Sequence, residues 1–305
     1  MSVGWEQAKR PPRAVPAQPQ RVGWRSSKRT QRLIQRVVST TLIVIGAVIF
    51  LIPFAWMVRT SLMSMGEIFL LPIRWIPHEI LFSNYPDAVH AVDFGLYFRN
   101  SVFVTAFGVV GSALTSSMVA YAFARLRAPG KDFLFIVLLA TMMLPYVVTL
   151  VPVYLLFRSL HWLDTYAPLI VPQWLGGSAF YVFMLRQFFM GLPMELDDAA
   201  KIDGCGFFGI YWRLVLPLSK PALATVGIFS FYGNWNDLLG PLIYLNSMNK
   251  FTLPLGLEFF VSVRGTTYWN LLMAASVIVL IPCLVLFFAG QRYFVQGIAL
   301  TGLKG

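Results

Sequence analysis

The chain has 305 residues, of which 57% are hydrophobic and only 12% charged, and its formal net charge is +11. Soluble domains carry about 25% charged residues, so a water-exposed globular surface is excluded and a lipid bilayer is the solvent that fits. The excess of Lys and Arg then reads as the positive-inside bias of a membrane protein rather than as a nucleic-acid footprint.

Residues 1–36 form a polar tail with Pro11, Pro12, Pro16 and Pro19, nine Lys/Arg and a single acid, Glu6. It has too few apolar residues to fold alone. Two roles suit it: contact with anionic headgroups, or a solvated segment that helps set orientation. The apolar run 37–58 is about the length that spans the hydrocarbon core. A secretory signal has a shorter apolar core and a small-residue cleavage site, so this run is expected to be a retained first span. Five more spans are expected near 100–123, 133–157, 167–190, 220–245 and 269–290. Gly108 and Gly111, with Ser112, Ser116 and Ser117, give the second a small face for close packing. Several spans contain proline: Pro145, Pro152, Pro172, Pro241 and Pro282. Neighbouring groups re-satisfy the freed carbonyls in a membrane. Gly176 and Gly177 beside Pro172 predict a broken fourth span.

With six spans and the tail inside, 18 of the 24 Lys/Arg fall on the inner side. The acids show no such split, as the rule requires. Both termini are therefore expected in the cytoplasm, and the loop 191–217 with them.

That loop begins with Glu195, Asp197, Asp198 and Asp203 within nine residues. Pro193 suits a first helical turn, the early carboxylates favour the helix dipole, and Gly204 suits the stop. The pattern predicts a capped helix of about eleven residues, about 16 Å long. Phe207, Phe208, Tyr211 and Trp212 follow at helical spacing, closed by Leu216-Pro217. The result is a helix–turn–helix under the membrane, one part polar and one aromatic. It is either an amphipathic connector or a docking knob whose acids supply complementarity and whose Ala199-Ala200 face permits close approach. Asp237 is the one acid placed inside a span; such groups usually line a polar cavity. With Asn234 and Asn236 it either lines such a cavity or positions the helix near its outer end. Tyr146, Gln173, Met142, Met143 and Trp174 are further lining candidates, with packing as the other reading.

The series Asp198-Ala199-Ala200, Gly204 and Leu214-Val215-Leu216-Pro217 resembles the "EAA" loop of ABC-importer permeases, with Asp in place of Glu and Leu in place of Ile. The second carboxylate at Glu195 is similar to the carbohydrate-uptake, maltose-type branch. So are the stretch from Ala120-Tyr121-Ala122 to Pro129-Gly130, Asn234-Trp235-Asn236-Asp237, Thr252-Leu253-Pro254-Leu255-Gly256-Leu257, and the ending from Arg292-Tyr293-Phe294 to Lys304-Gly305.

The resemblance implies an all-α polytopic membrane protein with six transmembrane helices and a cytoplasmic coupling helix, the type I ABC importer permease fold. It implies a permease domain over 37–290 with its core at about 95–290, and a C-terminal tail over 291–305. ATPase coupling would fall to Glu195, Asp198, Ala199, Ala200, Asp203, Gly204, Leu214, Leu216 and Pro217. The substrate path would take Asn234, Asn236, Asp237, Tyr146 and Gln173. Expected partners are a second permease, two ATPase subunits, an extracytoplasmic solute-binding protein landing on 59–98 and 246–268, a sugar, and membrane lipid, with no nucleic acid. The setting implied is a prokaryotic inner membrane.

The chain lacks a phosphate loop: Gly130-Lys131 is followed by Asp132, where Ser or Thr is needed. ATP and Mg are therefore expected on the partner ATPase, with no cofactor bound here and no catalytic residue. His78, His90 and His161 lack metal-ligand spacing, so no metal site is expected. Cys205 and Cys283 are not expected to pair. Three rivals remain at this point: a permease for a non-sugar solute, an ion-coupled secondary transporter and a membrane-embedded enzyme. One intramembrane acid is thin support for ion coupling, and no HExxH or GxSxG motif is present. A protease-sensitive tag at residue 1 is expected to be protected in sealed right-side-out vesicles and cleaved in inverted ones; the opposite pattern overturns the orientation.

Overall fold

The computed structural model describes residues 28–261 and 267–302. Most of the basic tail and the last residues of the chain, including Leu303, Lys304 and Gly305, lie outside the described residues. The chain divides into two compact units, Met1–Ala55 and Trp56–Gly305. The first contains most of α1 (Lys28–Ser61), whose apolar stretch has no buried residue. An all-apolar, unburied helical surface of this length suits lipid contact.

The described residues of the second unit are mainly helical, and among them no strand forms beyond one bridge between Val261 and Thr267. After α2 (Asn84–Ala91) comes the long α3 (Phe94–Arg125), then α4 (Lys131–Thr141), α5 (Tyr146–Ser159), α6 (Ala167–Trp174) and α7 (Ala179–Met190). The short α8 (Glu195–Ile202) and α9 (Phe207–Ile210) lead through a π-helical turn, Tyr211–Val215, into α10 (Leu216–Leu218). The chain ends with α11 (Lys220–Trp235), α12 (Leu239–Tyr244), α13 (Leu253–Leu257) and α14 (Trp269–Gly302).

Four helical stretches are long and apolar enough to cross a membrane, and two bent pairs bring the number to six. The bends are the main departure from simple rods. The third span breaks between α4 and α5 with a 99° bend. Pro145 has no N–H and disfavours helix at the residue before it, so the chain turns at Met142–Leu144 and α5 restarts after Pro145. The fifth span is shorter than 220–245: α11 stops at Trp235 and α12 is a separate six-residue helix. The segment before α11 meets it at 79°. The break falls at Ser219, where Pro221 in the first turn of α11 has no N–H to continue the preceding helix. The fourth span is broken where expected, with Gly176 and Gly177 at φ +114° and +63°.

Helix α3 is the centre of the unit, packed against α6, α7, α11 and α13. Gly108, Gly111, Ser112, Ser116 and Ser117 are all buried, as the small face predicted. Two glycines show why size matters. A Cβ at Gly108 would lie 2.7 Å from Asn234 Oδ1, and one at Gly111 2.5 Å from the Trp174 ring. Neither leaves room for a methyl group. One core cluster joins Ala120, Tyr121, Leu185, Phe189, Ala200, Ile210 and Val226 at the α8 end. Another joins Tyr97, Trp235, Leu253 and Ala274 at the other end of α3.

Overpacking of this kind costs about 1–3 kcal/mol. Gly111→Ala should therefore lower the melting temperature in detergent, whereas Gly233→Ala, which meets open space, should leave it unchanged or raise it. Equal effects of the two would contradict the packing.

Candidate coupling surface and translocation path

Helix α8 is shorter than expected, eight residues rather than about eleven. Met194 O accepts the first bonds, from the N–H groups of Asp197 and Asp198, so Pro193 stays outside the helix. At the far end Gly204 N donates to Lys201 O and Cys205 N to Ala200 O, both within 3.0 Å. That pair closes the helix in a Schellman turn, which needs a left-handed residue; Gly204 supplies it at φ +80°. A Cβ on Gly204 would meet nothing within 4 Å, so glycine is demanded by the backbone and not by crowding.

The helix presents two distinct faces. Glu195, Asp198, Ala199, Asp203 and Gly204 are exposed, whereas Asp197 and Ala200 are buried. The expected Ala199-Ala200 face is thus split. Adjacent helical positions lie about 100° apart, and only Ala199 points outward. Lys201 Nζ sits 2.9 Å from Asp198 Oδ1, an exposed pair of little energetic weight. Beside the acids lie exposed apolar groups: Ile202, 87% exposed, with Phe207 and Phe208. Phe208 stacks on Trp212. Leu214 and Leu216 are half-buried and pack on the cluster around Val215, while Pro217 is exposed.

The segment after α8 is tied inward to α3. Ser117 and Tyr211 share a buried hydroxyl–hydroxyl bond of 2.8 Å, and Tyr121 Oη donates to Phe207 O at 3.1 Å. Two charged residues absent from the expected site, Arg125 and Asp197, meet under α8. A basic residue at the end of a long apolar helix is the only sequence signal for the first. Asp197 is hidden in sequence by the identical residue beside it.

The path candidates fall into separate groups. Gln173 Oε1 accepts a 2.6 Å bond from Ser112, and its carbonyl accepts from Thr115, which fastens α6 to α3. Trp174 Nε1 donates to Phe107 O on the same helix. Asn234 turns back to its own helix, donating 2.7 Å to Ser230 O. Asn236 is exposed and donates to Tyr232 O. Asp237 accepts from the backbone N–H of Gly240 at 3.0 Å and from that of Leu239, so it caps α12 across the break. Tyr146 is half-exposed and hydrogen-bonds Tyr244. Met142 and Met143 are exposed at the α4–α5 break.

On the far side from α8, one carboxylate gathers a loop. Asp164 Oδ1 accepts from Asn246 N and Ser247 N, and Oδ2 from Ser247 Oγ at 2.6 Å and Lys250 Nζ at 2.9 Å. Asn100 Nδ2 holds the other side through Asn249 O and Phe251 O, each at 3.0 Å. The loop after α12 is therefore pinned to both α3 and the α5–α6 turn.

Residues 112–300, which include α8 and its attachments to α3, match the family described as binding-protein-dependent transport system inner membrane component. The chain belongs to this family. Among its relatives, the arabinooligosaccharides transport system permease protein AraQ of Halalkalibacterium halodurans is 41% identical over 214 residues, 69% of this chain and 76% of that one. The sn-glycerol-3-phosphate transport system permease protein UgpE of Yersinia pestis is 36% identical over 265 residues, 84% and 93% of the two chains. A chain in the crystal structure of a bacterial ABC transporter that imports the acidic polysaccharide alginate superposes with a TM-score of 0.76 at 25% identity, covering 87% of this chain and 98% of that one. The fold of this permease is that of an ABC importer permease.

In this permease the hydroxyl and backbone N–H of Ser247 hold the Asp164 carboxyl well below the usual carboxylate range, aided by Lys250 and Asn246 and opposed by burial. A lowered folded pKa means that the clasp contributes stability above the unfolded Asp value of about 3.9 and loses it as pH falls through the folded value. Asp164→Asn should therefore melt earlier than wild type at pH 7, with the gap narrowing as pH drops below about 4. A gap independent of pH would show that the charge is not the source.

Proposed function

We propose that this permease is the membrane-spanning subunit of an ATP-driven importer that takes up a sugar: a di- or oligosaccharide, or a related polyol or sugar phosphate. The arabinooligosaccharide and glycerol-3-phosphate permeases among its relatives support that substrate class. A second permease would complete the pore, two ATPase subunits would bind and hydrolyse ATP with Mg, and a solute-binding protein would deliver the sugar from outside. This chain binds no cofactor in that scheme. Both termini lie on the ATPase side, with the basic tail 1–36 before the permease domain 37–290 and the tail 291–305 after it.

The observation that carries the reading is the two-sided build of α8. Its outer face offers Glu195, Asp198, Ala199, Ile202 and Asp203, an acidic and apolar patch that suits docking to a partner groove. Its inner face meets α3 through the buried Asp197–Arg125 pair, and the π turn that follows is fastened to α3 through Tyr211. ATP binding closes the ATPase pair, α8 moves with it, and the bent spans shift between inward- and outward-facing states. Differential binding energy of this kind biases a two-state equilibrium.

Gly204 separates docking from folding, because a side chain there points into open space. Gly204→Glu should reach the membrane and co-purify with the permease partner, yet lower sugar uptake about tenfold or more through a clash in the ATPase groove. Gly204→Ala carries the same left-handed backbone cost, about 1–2 kcal/mol, without the bulk or charge, and should keep most uptake. Radiolabelled uptake across a panel of sugars measures both. Wild-type uptake in Gly204→Glu overturns the docking role.

A further inference from the structure

Helix α8 hangs between two short connectors, 191–194 and 203–206, and its first connector is met by one side chain. Arg125, the last residue of α3, has a side chain only 2% exposed. Its Nη2 donates to Phe189 O at 2.7 Å and Leu192 O at 2.8 Å, so it closes the C-terminal turn of α7. Its Nη1 contacts Met194 Sδ at 2.5 Å and lies 3.7 Å from Asp197 Oδ2, on a carboxylate only 7% exposed. Arg125 Nε finds no partner. One guanidinium thus touches the end of α7, the connector and the first turn of α8, while its own backbone belongs to α3. A planar fork with several fixed donors does this; a flexible ammonium does not. A charge this deeply buried is retained with a specific partner or not at all.

We propose that Arg125, paired with Asp197, is the positioning residue that makes α8 and α3 move as one body, so that displacement of α8 reaches the centre of the permease instead of being absorbed in the 191–194 connector. This inference rests on the coupling role given to α8 above. Arg125 touches neither sugar nor ATP in this scheme. The packing of α8 through Ala200, Tyr211 and Ser117 holds the segment in place without the pair, so loss of the pair frees the front of α8 more than it unfolds it.

The test uses the whole complex in proteoliposomes with Arg125→Met, Asp197→Asn and Arg125→Lys. The probe is whichever of maltotriose, an arabinose trisaccharide or glycerol 3-phosphate stimulates wild-type ATPase activity in the presence of the binding protein. Arg125→Met and Asp197→Asn should assemble and keep basal ATPase activity. Stimulation by the loaded binding protein should fall roughly tenfold, and amide exchange over 192–204 should quicken about tenfold. Arg125→Lys, which keeps the charge but loses the fork, should recover part of both. Wild-type stimulation or wild-type exchange in Asp197→Asn overturns the proposal, as does failure of all three variants to assemble, which would make the pair a folding requirement only. If no probe stimulates the wild type, the transport reading fails separately; exchange alone then decides whether the clamp holds α8.

Discussion

Everything in the second unit depends on how closely other helices approach α3. Hydrophobic burial does not drive helices together inside a bilayer, since lipid is as apolar as leucine; close packing and internal hydrogen bonds must do it. The small residues of α3 supply both. Gly108 and Gly111 let Asn234 and Trp174 lie against its backbone, and Ser112, Thr115 and Ser117 bond outward to Gln173 and Tyr211. From that single stripe follow the seat of α6, the seat of α11 and the anchorage of the segment that carries α8.

The same constraint explains why the broken helices are tolerated. A break in a membrane helix frees N–H and C=O groups that lipid cannot satisfy. Two of the breaks here bring their own remedy. Between α6 and α7 the left-handed glycines turn the chain, and Ser116 reaches toward Gly176 O at 3.5 Å. Between α11 and α12, Asp237 takes the first free N–H groups of the new helix. Asp237, expected inside the fifth span, lies just past the end of α11 and serves the backbone, so its presence needs no ion-coupling role.

Much of this was legible in the sequence, and the parts that were not share a cause. Apolar runs of the right length marked the spans, because hydropathy depends only on composition. Gly176-Gly177 and Gly204 were readable because a left-handed turn requires a particular residue. The inward face of α8 was not readable. Asp197 and Asp198 are the same residue, as are Ala199 and Ala200, and only the position of α3 decides which of each pair is buried. The 99° bend was equally hidden: Pro145 marks a break, but the direction taken after it belongs to tertiary packing. Gln173 and Trp174 stood as lining candidates with packing as the other reading, and both spend hydrogen bonds on α3.

That last point bears on where a solute would touch this subunit. Of the path candidates, Gln173, Trp174, Asn234, Asn236 and Asp237 already spend hydrogen bonds within this chain. Tyr146, at the α4–α5 bend, is different: half its surface is free, and its hydroxyl is bonded to another phenol, Tyr244. A phenol with an exposed ring offers both a stacking face for a sugar and a hydroxyl for its polar edge. The Asn234-Trp235-Asn236-Asp237 stretch is thus bonded within this chain, whereas the ring of Tyr146 stands exposed at the bend in the third span.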